Sequence, residues 1–413
     1  MSEATQDPQA PTEGEDLTFG DIVWVQFKKN KIAVVSLIAL AALFGLAIGA
    51  PLLASARPFI YTTAEGTTYP WFTSLFDRNY FENPVDIFFN LILCIGWVLF
   101  GVWWIRVKQI QAQGLPKRPR RKRMRQEAMA LLALFFGMYG WMLANPHSAP
   151  YVQHSSMIEQ AELKGETVEA TFPPIAYSFR QTGFKPLAKP SAKHLLGVDQ
   201  STRDVAVRIL YGTRISLTIG VIAVSIYVTI GIILGALAGF FGGRTDMAIQ
   251  RMIEIMMSLP TLIVILVLVA FLERPSIFHI MLVIGLVRWT GVARLVRGEF
   301  YRLRKQDFVA SAVALGFPTW RVIFQHVLPN ALGPVLVAAT FGVASAILLE
   351  STLSFLGLGD LSAPSWGQTL SEGYASGAWH LILAPGFAIF ITVSLLNLVG
   401  EGLRDALDPK MRR

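Results

Sequence analysis

The chain has 413 residues, of which 53% are hydrophobic and only 15% charged, and it carries a net charge of +8 at pH 7. A soluble domain of this length has closer to a quarter charged residues, so this composition, with a mean hydropathy of +0.49, excludes an ordinary water-soluble fold and points to lipid as the solvent of much of the chain. A single cysteine, Cys94, excludes an intrachain disulfide framework and a paired-cysteine metal site.

Residues 1–18 are polar and acidic, with Pro8, Pro11 and Gly14 and almost nothing to bury. They are expected to form a disordered cytosolic tail. Lys28, Lys29 and Lys31 then precede the apolar run 32–54. Ala54-Ser55-Ala56 resembles a signal-cleavage site, but signal cores run about 7–15 residues and this run is longer. Residues 19–56 are therefore read as a cytosolic lead-in and an uncleaved first span. A helical span needs about 20 mostly apolar residues, and seven further stretches answer to that: 85–105, 128–145, 215–240, 253–272, 277–296, 331–350 and 381–399. Cys94, inside one of them, reads as a small packed hydrophobe. The expected fold is an all-α polytopic membrane protein with eight spans.

Lysine and arginine accumulate in short cytosolic loops. With the N-terminus inside, the loop 106–127 faces the cytosol and holds Arg106, Lys108, Lys117, Arg118, Arg120, Arg121, Lys122, Arg123 and Arg125. Arg244 and Arg251 occupy the next cytosolic segment, Arg297, Arg302, Arg304, Lys305 and Arg321 the one after, and Arg404, Lys410, Arg412 and Arg413 the tail 404–413. The short outer loops 55–84 and 273–276 are nearly balanced. Both termini are thus expected in the cytosol, and the basic charge reads as topology plus anionic lipid rather than nucleic-acid binding. Residues 147–212 and 352–380 are the longer outer segments. The second, with Gly357, Gly359, Pro364 and Gly367, reads as a compact loop or re-entrant cap. Trp289 and Trp366 read as packing or interfacial aromatics.

No G-x-x-x-x-G-K-[ST], H-E-x-x-H or G-x-S-x-G occurs, and six histidines are scattered without metal-ligand spacing. The chain is therefore read as a non-catalytic subunit with no metal site. Span centres are nearly free of the acidic groups that ion-coupled carriers use, which favours an external motor. Segment 306–330 has the form of a docking surface for one. Asp307 to Leu315 holds helix formers and the small residues Ala310, Ser311, Ala312 and Ala314. Gly316 follows as a C′ residue and Pro318 blocks continuation. Thr319 is expected to cap a second short helix that ends before Pro329. Phe308, Val309, Leu315, Val322, Ile323 and Val327 make the hairpin too apolar for an idle loop, and it serves either as a partner dock or as packing on its own bundle. Glu350, at the outer end of a span, is placed either to meet a binding protein or cap a pathway, or to be a hydrogen-bonded helix end.

Gln306 to Gly316, followed by His326-Val327-Leu328-Pro329-Asn330, resembles the coupling-loop signature of binding-protein-dependent importer permeases. Gly197-Val198-Asp199, Arg203-Asp204, Tyr211 to Leu217, Gly239 to Gly243, Asp246, Glu350 to Gly359, Ser365-Trp366-Gly367 and Gly402 to Pro409 follow the same family in order. Together with the first span they resemble the C-type permease of dipeptide and oligopeptide importers, over roughly 194–409. The resemblance implies a six-span permease core, 213–403, paired with a second permease, two ATP-binding-cassette ATPases and an extracytoplasmic binding protein in a prokaryotic inner membrane. It implies that ATP and Mg are used by the partners, with no cofactor on this chain, and that the hairpin (Asp307, Ala310, Ser311, Ala312, Ala314, Leu315, Gly316, Pro329) inserts into one ATPase. Within the family, nickel or another small solute is the alternative cargo; outside it, a membrane scaffold or an ion-coupled carrier. Three features depart from the family pattern. Ala310-Ser311-Ala312 stands where the signature begins Glu-Ala-Ala, and Asp307 is the nearest acid. Glu401 stands where Asp is common. Residues 57–146 insert a two-span hairpin, read as extra anchoring or, through its basic loop, as a site for anionic lipid or a regulatory partner.

Overall fold

The computed structural model describes residues 19–64, 66–113, 116–148, 152, 154–164 and 168–407. The expected tail 1–18 and the end of the expected tail 404–413 lie outside the described residues.

The lead-in is a helix, α1 (Phe19–Lys29), which buries Phe27 with Ala33 and Ala406. Asn30 closes it and caps α2 (Lys31–Ile48), its side-chain oxygen accepting from the Ala33 amide at 3.1 Å. A short α3 (Ala50–Leu53) follows, with Pro51 in its first turn. Proline has no amide hydrogen, so the Ala47 carbonyl loses its helical donor. The Leu52 amide turns to Gly49, which leaves the Ile48 carbonyl open as well. Away from water each such orphan costs several kcal/mol. Arg214 satisfies both, donating from Nε to Ala47 at 2.7 Å and from Nη2 to Ile48 at 3.2 Å. Its Nη1 pairs with Asp86 at 3.0 Å, and the guanidinium stacks 5.3 Å from the Phe89 ring and 5.1 Å from Tyr211. Both charged side chains are buried.

Asp86 belongs to the inserted hairpin, which is thereby tied into the bundle. After β1 (Ile60–Thr63), β2 (Gly66–Thr68) and α4 (Pro70–Ser74), α5 (Pro84–Leu91) continues through a π-helical turn at Ile92–Gly96 into α6 (Trp97–Ala112). The chain returns as α7 (Lys117–Ala144). The segment 106–127, expected as a loop, is largely the facing ends of these two helices. Arginine, lysine and glutamine are good helix formers, and helix needs no lipid to continue. Cys94 is exposed rather than packed, because it lies on the outer face of the π-helical turn.

Outside the spans the all-α reading needs a correction. After α8 (His154–Leu163), β3 (Glu169–Thr171) pairs with β1, giving an antiparallel sheet of order β2-β1-β3 with Tyr61 opposite both Thr68 and Ala170. These strands are short and threonine-rich, and hydropathy does not reveal them. They join the start of the insertion to segment 147–212, and a small core of Ala54, Tyr80, Phe81, Phe179 and Tyr211 links the same parts of the chain.

α9 (Val205–Phe241) begins ten residues before the expected start of its span. Asp204 caps it, accepting from the Val207 amide at 3.0 Å, and its first turns are buried in protein rather than lipid. At 1.5 Å per residue it is about 55 Å long. The expected span 253–272 is broken: α10 (Gly243–Ser258) and α11 (Thr261–Ala270) meet at 80°. Pro260 drives Leu259 into extended backbone (φ −100°, ψ 139°). α12 (Ile277–Val287) and α13 (Trp289–Leu303) bend by 40° at Arg288. Then come α14 (Asp307–Ala314), α15 (Thr319–Arg321), α16 (Leu328–Phe355), α17 (Trp366–Ser376) and α18 (Trp379–Leu407). Among the described residues, six helices are long and apolar enough to cross a membrane, and up to eight if each bent pair is one span.

The core is built on α9, which packs against α2, α12, α13 and α16. Its closest approach is to α13, along a stripe of Gly231, Gly235 and Gly239. A Cβ at these positions would lie 2.6 Å from Val292, 2.5 Å from the Ala293 carbonyl and 2.6 Å from the Arg297 carbonyl. Small residues four apart let two helices meet backbone to backbone where lipid supplies no hydrophobic drive.

Breaking one side of a buried ion pair costs about 3–5 kcal/mol. Asp86→Asn and Arg214→Met are each expected to lower stability by that order. Arg214→Met is the worse, since it also orphans two carbonyls, and the double variant is expected to lose less than the sum. Thermal unfolding of the detergent-purified chain checks this.

Candidate coupling surface and outer cap

α14 ends in a Schellman motif. The Gly316 amide donates to the Val313 carbonyl at 2.9 Å and the Phe317 amide to Ala312 at 3.2 Å, with Gly316 at φ +75°. A residue with a Cβ is strained there. The expected helix and its stop at Gly316–Pro318 are therefore present. The second half differs. Thr319 caps nothing: it is the first residue of α15, and Pro318 holds the cap position without a side-chain bond. No helix ends before Pro329. Instead α15 runs through a π-helical stretch, Val322–Val327, into α16, making one continuous helix, Thr319–Phe355. Widening the turn relieves the clash that the proline ring makes with the preceding turn of an α-helix, and the Asn330 side chain donates from Nδ2 to the His326 carbonyl at 2.7 Å.

The hairpin has two faces. Val309 and Ala312 turn inward and are buried with Val322, Ile323 and Val327. Stacking of Phe317 on His326, with ring centroids 5.7 Å apart, and of Arg321 over Phe317 at 5.3 Å closes the loop. Asp307, Ala310, Ser311, Ala314, Leu315 and Gly316 are exposed, Leu315 at 73%, beside exposed Phe308, Val313, Trp320 and Phe324. The hairpin thus both packs on its own bundle and keeps an apolar outer face. Of the small residues singled out in the sequence, only Ala312 is withdrawn from that face. Asp307 forms no ion pair among the described residues.

Three residues separate α13 from α14. The end of α13 is clamped: Arg297 binds Asp246 of α10 through both nitrogens, at 2.5 and 2.7 Å, and Arg304 donates to the Phe240 carbonyl of α9 at 3.0 Å. Displacing α14 therefore bears on α13, and through the glycine stripe on α9. The stripe was missed in the sequence; its signal was the four-residue spacing of Gly231, Gly235 and Gly239.

At the opposite end of α9 the chain folds over itself. Glu350 is 1% exposed, so its carboxylate does not reach the surface, contrary to the reading in which it meets a binding protein. α16 runs on to Phe355, which sets Glu350 inside the helix. Its Oε1 accepts from Ser354 and Ser365 at 2.8 Å each. Ser365 in turn caps α17 at Gly367, where a Cβ would lie 2.1 Å from the Ser351 carbonyl. Trp366, fully buried, donates to Ile209 of α9 at 3.0 Å. Arg203 binds Asp199 at 2.8 Å and Glu372 at 2.9 Å, and Arg208 donates to Gln368 at 3.0 Å. Burial and the nearby Asp199 carboxylate raise the Glu372 pKa. Within segment 352–380, α17 holds the chain against the start of α9.

Two family models match the chain. One, described as the inner membrane component of binding-protein-dependent transport systems, matches residues 231–413, and one described as the N-terminal TM domain of oligopeptide transport permease C matches 18–70. An oligopeptide transport system permease protein of Haemophilus influenzae is 44% identical over 223 residues, 53% of this chain and 71% of that protein. A dipeptide transport system permease protein of Alkalihalophilus pseudofirmus is 42% identical over 229 residues, 55% and 75% of the two chains. An oligopeptide transport system permease protein of Bacillus subtilis is 40% identical over 243 residues, 57% and 79%. Among solved structures, an inward-facing methionine ABC transporter chain aligns loosely, at TM-score 0.42 and 16% identity, over 49% of this chain and 96% of its own.

Glu350→Leu leaves two buried hydroxyls without their acceptor, at about 1–3 kcal/mol each, and is expected to speed amide exchange across α17 while α9 stays protected. Glu350→Gln keeps an accepting oxygen and is expected to preserve most of the protection. Hydrogen–deuterium exchange of the purified chain reads both.

Proposed function

The chain belongs to the family of inner-membrane components of binding-protein-dependent transport systems, and we propose that it is the permease subunit forming half of the pathway of an ATP-driven importer of di- or oligopeptides. The observation that carries this reading is the exposed apolar face of α14 and α15 on a chain whose relatives are peptide permeases. A second, related permease supplies the other half of the pathway. Two ATPase chains hydrolyse ATP with Mg, and an extracytoplasmic binding protein delivers the peptide. The membrane is a bacterial inner membrane, crossed eight times with both termini in the cytosol.

In this reading the hairpin seats in a groove of one ATPase. Leu315, Val313 and Phe308 fill it, the small side chains of Ala310, Ser311 and Ala314 let the two surfaces approach, and Asp307 offers the charge that Ala310 lacks. Closure of the ATPases on ATP pushes α14. α13 follows, because only three residues intervene and Arg297–Asp246 and Arg304 clamp its end. α9 moves with α13 across the glycine stripe and carries the motion to the outer cap, where Trp366 is bonded to its backbone. The pathway switches from inward-facing to outward-facing.

A carboxylate forced into an apolar interface without a partner costs more than about 1.4 kcal/mol, a factor of about ten in affinity. Val313→Asp with Leu315→Asp, both on exposed positions, is therefore expected to lower ATP hydrolysis stimulated by peptide-loaded binding protein at least about ten-fold in the complex reconstituted in nanodiscs. Undiminished stimulation would contradict docking through this face. Stimulation by nickel-loaded but not peptide-loaded binding protein would overturn the peptide assignment.

A further inference from the structure

The inserted hairpin contains a groove that transport does not explain. It has a volume of about 430 Å³ between α6 and α7 and is lined by apolar side chains, among them Leu99, Phe100 and Trp103 on one helix and Leu131, Leu132 and Phe135 on the other. Its α7 residues recur at helical spacing, 128, 131, 132, 135 and 136, so it is a continuous trough along the membrane-crossing part of the hairpin. One polar atom is sealed into its wall. The indole nitrogen of Trp103 is buried and has no hydrogen-bond partner, although a buried indole N–H usually finds one.

The charge at the end of the trough completes the pattern. One helical turn beyond Trp103 on the same face lies Arg106, and one turn before Ala128 lies Arg125. Both are exposed and neither forms an ion pair among the described residues. Lys108, on the same helix as Arg106, lies over the Trp104 ring at 5.2 Å. Arg121 and Arg123 are engaged instead, by Asp21 at 3.4 Å and by Gln113 at 2.9 Å. The acids in this region, Asp21 and Glu127, do not offset the cluster.

We propose that this groove is a binding site for an anionic phospholipid, with an acyl chain in the trough, the glycerol-ester region at the Trp103 N–H and the phosphate between Arg106 and Arg125. An acyl chain matches an apolar trough open to the bilayer. An ester carbonyl supplies the acceptor that the indole lacks, and a phosphate is the natural partner of two unengaged guanidinium groups. Basic pockets between spanning helices on the cytosolic side are where anionic headgroups are held. A zwitterionic lipid would bring its own cation into the same cluster and is disfavoured there. The site lies on the insertion, and the lipid would brace α6 against α7 next to the Asp86–Arg214 pair.

The test uses the full-length chain in neutral detergent, incubated with equal amounts of phosphatidylglycerol and phosphatidylcholine of the same chain length and read by native mass spectrometry. One phosphatidylglycerol is expected to be retained in preference to phosphatidylcholine. Arg106→Gln with Arg125→Gln is expected to lower its retention by about five-fold for each arginine removed. Leu132→Trp, which fills the trough, is expected to lower it as well, and Arg302→Gln with Lys305→Gln, on a different basic segment, to leave it unchanged. Equal retention of both lipids overturns the site, as does a loss that is the same for either basic pair, since bulk charge would then suffice. If Leu132→Trp spares the lipid but prevents co-purification of a second permease subunit, the groove holds a protein helix instead.

Discussion

A proline in the first turn of α3 strips the Ala47 carbonyl of its donor, and a single guanidinium repairs the damage. Arg214 is the point where three parts of the chain with separate sequence origins become one body. The first span contributes its orphan carbonyls, the inserted hairpin contributes Asp86, and α9 contributes the arginine itself. In a medium without water neither the carbonyls nor the charges can be left alone. The arrangement is therefore self-enforcing: remove the insertion and Arg214 keeps the carbonyls but loses its counter-charge. This is why residues 57–146, which look like an appendage in the sequence, are built into the structure. The antiparallel sheet and the Tyr80–Phe179 cluster extend the same attachment.

From that anchored end α9 runs on for 37 residues, and what it touches changes along the way. Near Arg208 and Arg214 it is held by charges and hydrogen bonds; from Gly231 to Gly239 it is held by close backbone contact with α13. The second kind of contact transmits displacement without side-chain slack, since no rotamer intervenes between the two backbones. α13 then leads into α14 through three residues, with its end clamped to α10 and α9. A continuous line of close contacts thus joins the exposed hairpin to the α17 cap. The 80° break follows from Pro260 and the 40° bend falls at Arg288, whereas α9 runs unbroken from Val205 to Phe241.

What was legible in the sequence follows from which signals are local. All eight apolar runs fall on helices, because hydropathy over about 20 residues reads transfer to lipid directly. The C-terminal stop of α14 was legible because Gly316 and Pro318 act within two residues. Prolines at 260 and 329 were harder: the first breaks its helix, and the second is absorbed by a π-helical stretch that no residue announces. The segment 205–214 escaped because it is solvated by protein, with charges that hydropathy scores as non-membrane. Glu350 was found as a carboxylate at a span's end, but its burial depends on Ser365, fifteen residues away across a turn. The partner of Arg214 lies 128 residues back, and no pattern in one chain marks that distance. The exposed face of α14 was singled out by resemblance, whereas the trough between α6 and α7 emerged only once the two helices were set side by side.

The most direct measurement of whether the hairpin is the motor contact is a cross-link. Cys94 is the sole cysteine, so Cys94→Ala gives a clean background in which Ser311→Cys reports the exposed face of α14, and Leu361→Cys, on the exposed loop before α17, reports the opposite end. In the assembled complex a short thiol cross-linker is predicted to join Ser311→Cys to an ATPase subunit, with a yield that changes when ATP is added, and to join Leu361→Cys to none. An ATPase cross-link at Leu361→Cys with none at Ser311→Cys would contradict both the assigned orientation and the coupling role of α14.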